Sequence, residues 1–330
     1  MAVAMAAGFM NAVNGFLYLY SRKKTNFYHS LPMKRSELFA EKAVMGLIYY
    51  LVSYIVIEFL TVCVGAARGL FSLELMGMAV KMLCLHLLVY LMIYFSVVLV
   101  LCITGNMLMG ILTLGGIYLY GIALELVLAA CGLTFLDTFI DKRYGIMAFL
   151  LKDASPAAFA FSLADAYSAG HAAKYLVALV ILIVVLAVLS WIAYEKRPSE
   201  AAGRSMVYRW VAVLVKFMVV IPTGLAVGWI FYPQADGRTK LIWWVFGLIL
   251  GTVLSHGMIE IIYHMSFQKF FAKKMQLVLA GVLVFGCAMI YQKDLLHFDS
   301  YLPKQEELAS VNISNGYDQD YYAHIEKAAD

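Results

Sequence analysis

Charged residues are scarce in this chain. Lysine, arginine, aspartate and glutamate make up only 14% of the 330 residues, whereas hydrophobic residues make up 63%. An ordinary soluble domain is about 25% charged and roughly 45–50% apolar. Because so few polar side chains cannot cover a water-soluble fold of this length, the composition excludes an ordinary soluble protein. It predicts a polytopic membrane protein.

Motifs for nucleotide, metal and hydrolytic chemistry are also missing. The sequence contains no GxxxxGK[ST], no HExxH and no GxSxG. The five cysteines lie singly in apolar runs without a CxxC pair, so neither a disulfide framework nor a metal site is indicated. We therefore expect that the chain is not an enzyme and holds no metal or cofactor. If ATP drives its activity, another chain binds the ATP.

Eight apolar runs are long enough to cross a bilayer, whose hydrocarbon core needs about 20 residues of helix. Sustained alternation of polar and apolar residues is absent, and helices satisfy their own backbone groups in lipid, so the predicted fold class is all-α. The fourth run contains Gly115 and Gly116, where the helix could tilt or break. The runs are about 1–20, 43–66, 78–103, 105–134, 173–194, 209–232, 241–264 and 275–291.

The loop cations predict the orientation of these helices, because cytoplasmic loops are enriched in lysine and arginine. One set of alternate loops holds Arg22, Lys23, Lys24, Lys34, Arg35, Lys42, Lys196, Arg197, Arg204, Arg209, Lys269, Lys273 and Lys274. The opposite set holds only Arg68, Lys142, Arg143, Lys152, Lys174, Arg238 and Lys240. The segment after the first run is therefore expected in the cytoplasm, with residue 1 and the tail from about 292 outside.

The most unusual segment is residues 20–39, YSRKKTNFYHSLPMKRSELF, which combines cations, aromatic residues, a histidine and a proline. Pro32 suits the first turn of a helix, where its missing N–H costs nothing. One interpretation is an ordinary cytoplasmic loop whose cations fix the topology, with Phe27 and Tyr28 at the membrane interface. The other is a short cytoplasmic helix that docks on a partner. Composition alone leaves both interpretations open.

Four segments carry a family resemblance. Residues 20–39 resemble the cytoplasmic segment that follows the second membrane helix in permease subunits of type-2 ABC exporters from Gram-positive bacteria. YEKRPSEAAGRSMVYR, at 194–209, is similar to a later cytoplasmic loop of that family, and LSHGMIEIIYHMSFQKFF, at 254–271, to the cytoplasmic end of a late helix. FDSYLPKQEELASVNIS, from 298, looks like the start of the extracytoplasmic C-terminal domain that some members carry.

The resemblance implies a domain organisation and partners. Residues 1–291 would form the transmembrane permease domain, with a cytoplasmic coupling segment at about 21–42, an extracellular stretch at about 135–172 containing short helices, and a cytoplasmic loop at about 195–208. Residues 292–330 would begin an extracytoplasmic tail. The first run would correspond to the family's second helix, so we expect a chain shortened at both ends.

The implied partners are an ABC ATPase subunit, a second permease subunit and the plasma-membrane lipid, and no nucleic acid is expected. The resemblance places the contact with the ATPase at Tyr28, His29, Ser30, Leu31, Pro32 and Arg35. Aromatic and arginine side chains are common energetic centres of such contacts.

Ionisable residues within the runs are a second group of candidates, because a charge in the bilayer is costly and often marks a pathway. Glu58 and Glu125 are the candidates for a pathway or gating role. Lys81 and Lys216 lie near run ends and can extend to the interface. His256 and Glu260 are spaced for a local pair on one helix face. The GxxxG motifs at 224–228 and 247–251 favour close helix packing within the chain over dimerisation.

Two other functions compete with an ABC permease. An ion- or proton-coupled secondary transporter could use the intramembrane carboxylates, although no inverted repeat with interrupted helices is recognisable. A membrane enzyme or sensor would need a catalytic constellation, and none is evident. An ATPase encoded beside this chain would favour the permease.

Overall fold

The computed structural model describes residues 1–69, 72–136, 155–168, 170–234 and 236–299, together with two short strands further along the chain. These residues are almost entirely helical, which confirms the all-α fold class. The strands, β1 (Val311–Ile313) and β2 (Ala323–Ile325), pair antiparallel. The helices are α1 (Ala2–Phe16), α2 (Arg22–His29), α3 (Arg35–Ala67), α4 (Leu73–Ile103), α5 (Met107–Phe135), α6 (Pro156–Ser168), α7 (Ala173–Glu195), α8 (Arg209–Phe231), α9 (Lys240–His264) and α10 (Lys274–Gln292).

All of these helices except α2 and α6 are long and apolar enough to cross a membrane, so the described chain has the eight spans predicted from its apolar runs. α1 continues into a 3-10 turn at Leu17–Tyr20 before the first connection. The main difference is at α3, which begins at Arg35 instead of near residue 43. α5 is a continuous helix through Gly115 and Gly116, so these glycines do not break it.

Local caps explain where three of the long helices begin. The Glu37 carboxylate accepts the backbone N–H of Lys34 at 3.0 Å and thereby fixes the start of α3. Ser72 Oγ accepts the N–H of Leu75 at 3.1 Å at the start of α4, and Asn106 Oδ1 accepts the N–H of Met109 at 2.8 Å at the start of α5. Such side chains satisfy N–H groups that have no partner in the first helical turn. The α3 cap also accounts for two extra turns of helix before the apolar run.

The larger bundle is built around α4, which packs against α1, α3, α6 and α7. Most of the second half of α4 is buried, including Tyr90, Tyr94 and Val97. Near the end of α4, the rings of Phe16, Phe39 and Tyr194 pack together, with centroids 5.4–5.9 Å apart. Aromatic contacts at these distances join α1, α3 and α7 into one core.

A second bundle consists of α5, α8, α9 and α10, and α8 and α9 make its most extensive contact. A Cβ on Gly247 would come within 2.8 Å of Gly228 Cα, and one on Gly251 within 3.1 Å of Gly224 Cα. The two GxxxG motifs therefore face each other and allow close approach of the backbones. This confirms the prediction that they pack within the chain.

The stretch expected outside the membrane at about 135–172 contains one helix in its described part, α6, which packs against α4, α5 and α7. Ser155 Oγ donates to the Tyr118 carbonyl at 2.6 Å, and Phe159 and Leu163 are buried. Residues 137–154 and most of the tail expected from 292 onward, at 300–310, 314–322 and 326–330, lie outside the described residues.

Candidate functional site

The coupling segment predicted at about 21–42 overlaps the connection between α1 and α3, and from here on the name is used for residues 17–35. It contains the 3-10 turn Leu17–Tyr20, helix α2 and a bend at Leu31–Met33. It lies at the end of the bundle where α1, α4 and α7 finish and α3, α5 and α8 begin. Here it meets the α4–α5 link and the α7–α8 loop, which is the arrangement expected if these three connections lie on the same side of a membrane.

Arg197, in the α7–α8 loop, joins the three connections. Its side chain is 1% exposed. One guanidinium nitrogen donates to the carbonyls of Leu101 at 3.1 Å, Cys102 at 2.5 Å and Thr104 at 2.7 Å, and the other donates to Leu19 at 3.1 Å. Because arginine stays protonated, these carbonyls at the ends of α1 and α4 receive hydrogen bonds from a charged donor.

Backbone pairing strengthens the same junction. The N–H of Gly203 donates to the carbonyl of Gly105 at 2.7 Å, and that of Val207 donates to Ile103 at 2.9 Å. A Cβ on Gly105 would collide with the carbonyl oxygens of Arg204 and Ala201. Only glycine permits the α4–α5 link to approach the α7–α8 loop this closely.

Arg35 and His29 hold the coupling segment against the α7–α8 loop. The Arg35 guanidinium donates to the Arg197 carbonyl at 2.7 Å, to the Glu195 carbonyl at 3.2 Å and to Ser199 Oγ at 3.2 Å. Ser199 Oγ also lies 2.9 Å from His29 Nδ1. A hydroxyl can accept from Arg35 and donate to a neutral imidazole at the same time.

The charge state of His29 fits this arrangement. Burial lowers the pKa of the His29 imidazole below its ordinary value, and the neighbouring charges of Arg35 and Arg197 lower it further. The neutral imidazole therefore predominates at neutral pH and can accept the Ser199 proton.

Arg22, at the start of α2, adds a hydrogen bond from Nε to the Ala202 carbonyl at 3.1 Å.

Tyr28 is positioned from within the segment. Its ring centroid lies 4.4 Å from that of Tyr18, and the Lys42 ammonium lies 4.8 Å from the Tyr28 centroid. Tyr18 OH is in turn 2.6 Å from Tyr194 OH at the end of α7. Tyr28 is half-buried; it connects α2 directly to α3 through Lys42, and to α7 only through Tyr18.

Other side chains of the coupling segment are exposed, and we call them its outer face. Phe27 is 64% exposed and Met33 is 38% exposed, and Ser30, Pro32 and Lys34 are also exposed. Two apolar side chains and a proline thus project from a segment that is otherwise cationic. Phe27 and Met33 are therefore accessible to a partner.

The structure divides the six predicted contact residues. Ser30 and Pro32 lie on the exposed face and Leu31 is half-buried beside them, whereas Tyr28, His29 and Arg35 are turned toward the protein's own side chains and backbone. The prediction that Pro32 opens a helix is wrong. Pro32 lies in the bend, and α3 starts at Arg35 because the Glu37 carboxylate caps Lys34. Phe27 and Met33 are not among the six predicted contact residues; Phe27 was considered only as a residue of the membrane interface.

Glu58 and Glu125, the predicted pathway residues, lie on α3 and α5 and are not brought together. Both are half-buried, and among the described residues neither makes an ion pair. Glu58 borders an apolar cavity of about 220 Å³ between α3 and α4. Their role stays a prediction.

A buried ion pair joins α8 to α9. Lys216 Nζ donates to Glu260 Oε1 and also to Gln276 Oε1 at 2.7 Å, and both charged side chains are 0% exposed. The prediction that Lys216 extends to the interface is therefore wrong, because a carboxylate on the facing helix holds its ammonium inside. Lys81, in contrast, is exposed.

The predicted local pair of His256 with Glu260 is also wrong. His256 Nε2 lies 3.1 Å from the Ala272 carbonyl, whereas Glu260 Oε2 lies 3.2 Å from His264 Nδ1, one turn further along α9. Both histidines lie four residues from Glu260 in the sequence, so spacing alone does not distinguish them. His256 is instead turned toward the α9–α10 connection.

Comparisons of the chain with protein-family models, with curated proteins and with solved structures give no significant match.

Proposed function

We propose that this chain is the membrane-spanning permease subunit of an ATP-driven ABC transporter of the exporter type, located in the plasma membrane. A separate subunit binds ATP, and a second permease subunit completes the path across the bilayer. The eight membrane-crossing helices and the resemblance of residues 20–39 to the cytoplasmic segment of such permeases support this proposal.

One observation carries the proposal: hydrogen bonds attach the coupling segment to the α7–α8 loop, while the side chains of its outer face are exposed. Arg35 and His29 attach it to the α7–α8 loop, and Arg197 attaches that loop to the ends of α1 and α4. A force applied to the outer face would be transmitted to α3 directly and to α1, α4 and α7 through hydrogen bonds with charged donors. A loop that only fixes topology does not require such attachments.

We assign different roles to the residues of the segment. Phe27, Ser30, Pro32 and Met33 form the face that enters the ATPase subunit, together with Leu31. Tyr28, His29 and Arg35 hold that face in position. When two ATPase subunits close on ATP, they move the segment, and the motion passes to α1, α3, α4 and α7.

The test is co-purification of the tagged full-length chain with its ATPase, identified by its nucleotide-binding motif. Phe27→Ser/Met33→Ser should abolish association and vanadate-sensitive ATP hydrolysis while leaving membrane insertion and the thermal midpoint unchanged. Phe267→Ser is the matched control, because Phe267 is 84% exposed in another connection at the same end of the bundle. An ATPase complex that survives the double variant would contradict the proposal.

The alternative is an ion- or proton-coupled secondary transporter. It is favoured by Glu58 and Glu125, which are half-buried within spans and make no ion pair among the described residues. In vesicles, transport that stops with an uncoupler but persists with vanadate would favour this function. Loss of transport in Glu58→Gln or Glu125→Gln, with ATPase association intact, would identify the carboxylate involved.

A further inference from the structure

A second site lies apart from the coupling segment, at the junction of α8, α9 and α10. A cavity of about 780 Å³ opens there between the loop at 203–206, the start of α8, the end of α9 and the start of α10. We infer that this cationic cavity binds the phosphate of an anionic phospholipid headgroup.

The charges that line the cavity are all of one sign. Arg204, Arg209 and Lys273 contribute cationic side chains, and no carboxylate lines it. Arg204 has only a distant ion pair, 3.8 Å from the exposed carboxylate of Glu200, and within the described chain Arg209 and Lys273 make none. Unlike most surface cations, these three surround a concave space large enough for a headgroup.

The helix ends around the cavity add to its positive potential. Both α8 and α10 begin there, and neither has an acidic residue in its first turn. The positive ends of their dipoles are therefore not neutralised locally. α9 ends at the same place, but Ser205 Oγ donates to its Tyr263 carbonyl, and the nearby Glu260 carboxylate is engaged by Lys216.

The floor of the cavity offers a further donor. Gln276 lines it and accepts from Lys216 through Oε1 at 2.7 Å, so its amide NH₂ is available for a ligand oxygen. A phosphate held by Arg209, Lys273 and Gln276 would bridge the first turns of α8 and α10. The buried pair beneath it would then form the lower layer of one polar network.

The surroundings indicate a ligand at the level of lipid headgroups. Trp210, beside Arg209, is 69% exposed, and Phe267 and Phe271, in the α9–α10 connection, are 84% and 59% exposed. Exposed aromatic residues at the ends of membrane helices are typical of the headgroup region. The backbone of Lys273 has a φ of 53°, a left-handed conformation that is uncommon for a residue with a side chain.

The experiment uses the purified full-length chain in detergent, presented with equal amounts of phosphatidylglycerol and phosphatidylcholine. Native mass spectrometry measures how many of each lipid are retained. We expect wild type to prefer phosphatidylglycerol. A cation near an anionic lipid contributes roughly fivefold to binding, so Arg209→Gln/Lys273→Gln should lower the preference by about 25-fold.

Lys196→Gln/Lys269→Gln is the matched control, since it removes the same charge from exposed positions at the same end but outside the cavity. This variant should keep the wild-type preference. Equal loss in both double variants, or no preference in wild type, would overturn the inference. A third result would also overturn it. If inorganic phosphate stabilised the chain through Arg209 and Lys273 while phosphatidylglycerol had no effect, the ligand would be a soluble anion.

A measurement on wild type alone guards against a misfolded variant. A phosphatidylglycerol analogue with a photoreactive headgroup should label peptides that contain Arg209 or residues 273–276. Labelling confined to other peptides would place the headgroup elsewhere and overturn the inference.

Discussion

Replacement of Arg197 by methionine should loosen the whole junction between the coupling segment and the membrane helices. Methionine keeps much of the side-chain volume but removes the guanidinium. The carbonyls of Leu19, Leu101, Cys102 and Thr104 would then lose their charged donor. Buried carbonyls without partners are costly because water cannot replace the lost bonds.

The size of the effect can be bounded from these four bonds. A hydrogen bond to a charged group contributes about 1.5–3 kcal/mol, so a simple sum gives about 6–12 kcal/mol. That sum is too large, because removing the guanidinium also removes the cost of burying its charge. Each buried carbonyl left unpaired costs about 1–3 kcal/mol, and the release of the buried charge offsets part of that cost, so we expect a net loss of a few kcal/mol. Arg197→Lys should lose less, since an ammonium keeps the charge but has fewer donors.

The assay is unfolding of the purified chain in mixed micelles by increasing detergent denaturant, followed by tryptophan fluorescence. Hydrogen exchange should report where the change occurs, with faster exchange in residues 17–35 and 101–106. Lys196→Met is the matched control, because Lys196 is the adjacent cation but is exposed. Its free energy of unfolding should change by less than about 0.5 kcal/mol.

The reasoning would be refuted if Arg197→Met and Lys196→Met had the same stability, or if exchange in the two connections stayed at wild-type rates. Either result would mean that the four carbonyls find other donors without cost.

Three further predictions concern single contacts. Gly105→Ala should prevent the α4–α5 link from reaching the α7–α8 loop and lower the thermal midpoint strongly, whereas Gly115→Ala, where a Cβ meets no atom within 4 Å, should not. Lys216→Met should cost about 3–5 kcal/mol by removing the lysine partner of the buried Glu260 carboxylate. Lys216→Met/Glu260→Leu should recover most of that loss in a double-mutant cycle, and additive losses would contradict a pair. Because the folded-state pKa of His29 is below its ordinary value of 6.5, the folded chain binds fewer protons than the unfolded chain at slightly acidic pH. The contribution of His29 to stability is therefore complete above about pH 6.5 and is lost as the pH falls through the folded-state pKa. His29→Gln should thus show a smaller drop in thermal midpoint than wild type between about pH 7.5 and pH 5. An identical drop in the variant would contradict this reasoning.

The coupling segment shows how far local sequence information extends. Its cationic and aromatic composition identifies residues 20–39 as unusual, and the exposed position of Pro32 agrees with a surface role. The start of the following helix was misplaced, because the Glu37 cap outweighs the preference of Pro32 for a first helical turn. Phe27 and Met33 can be recognised as contact candidates only from the structure, which shows that Tyr28, His29 and Arg35 are engaged within the chain.

The sequence by itself determined the eight spans, because the transfer of each apolar residue into lipid is a local property and the bilayer fixes the length required. It also indicated that the two GxxxG motifs pack within the chain, since glycines act through the absence of a side chain, whereas the structure showed that they face each other. Only the tertiary structure decided which polar groups meet. Arg197 bonds to residues 93–178 positions away, and Lys216 pairs with a carboxylate 44 positions away. A buried charge needs partners of matching geometry, and only the packing of distant helices brings them within hydrogen-bonding distance.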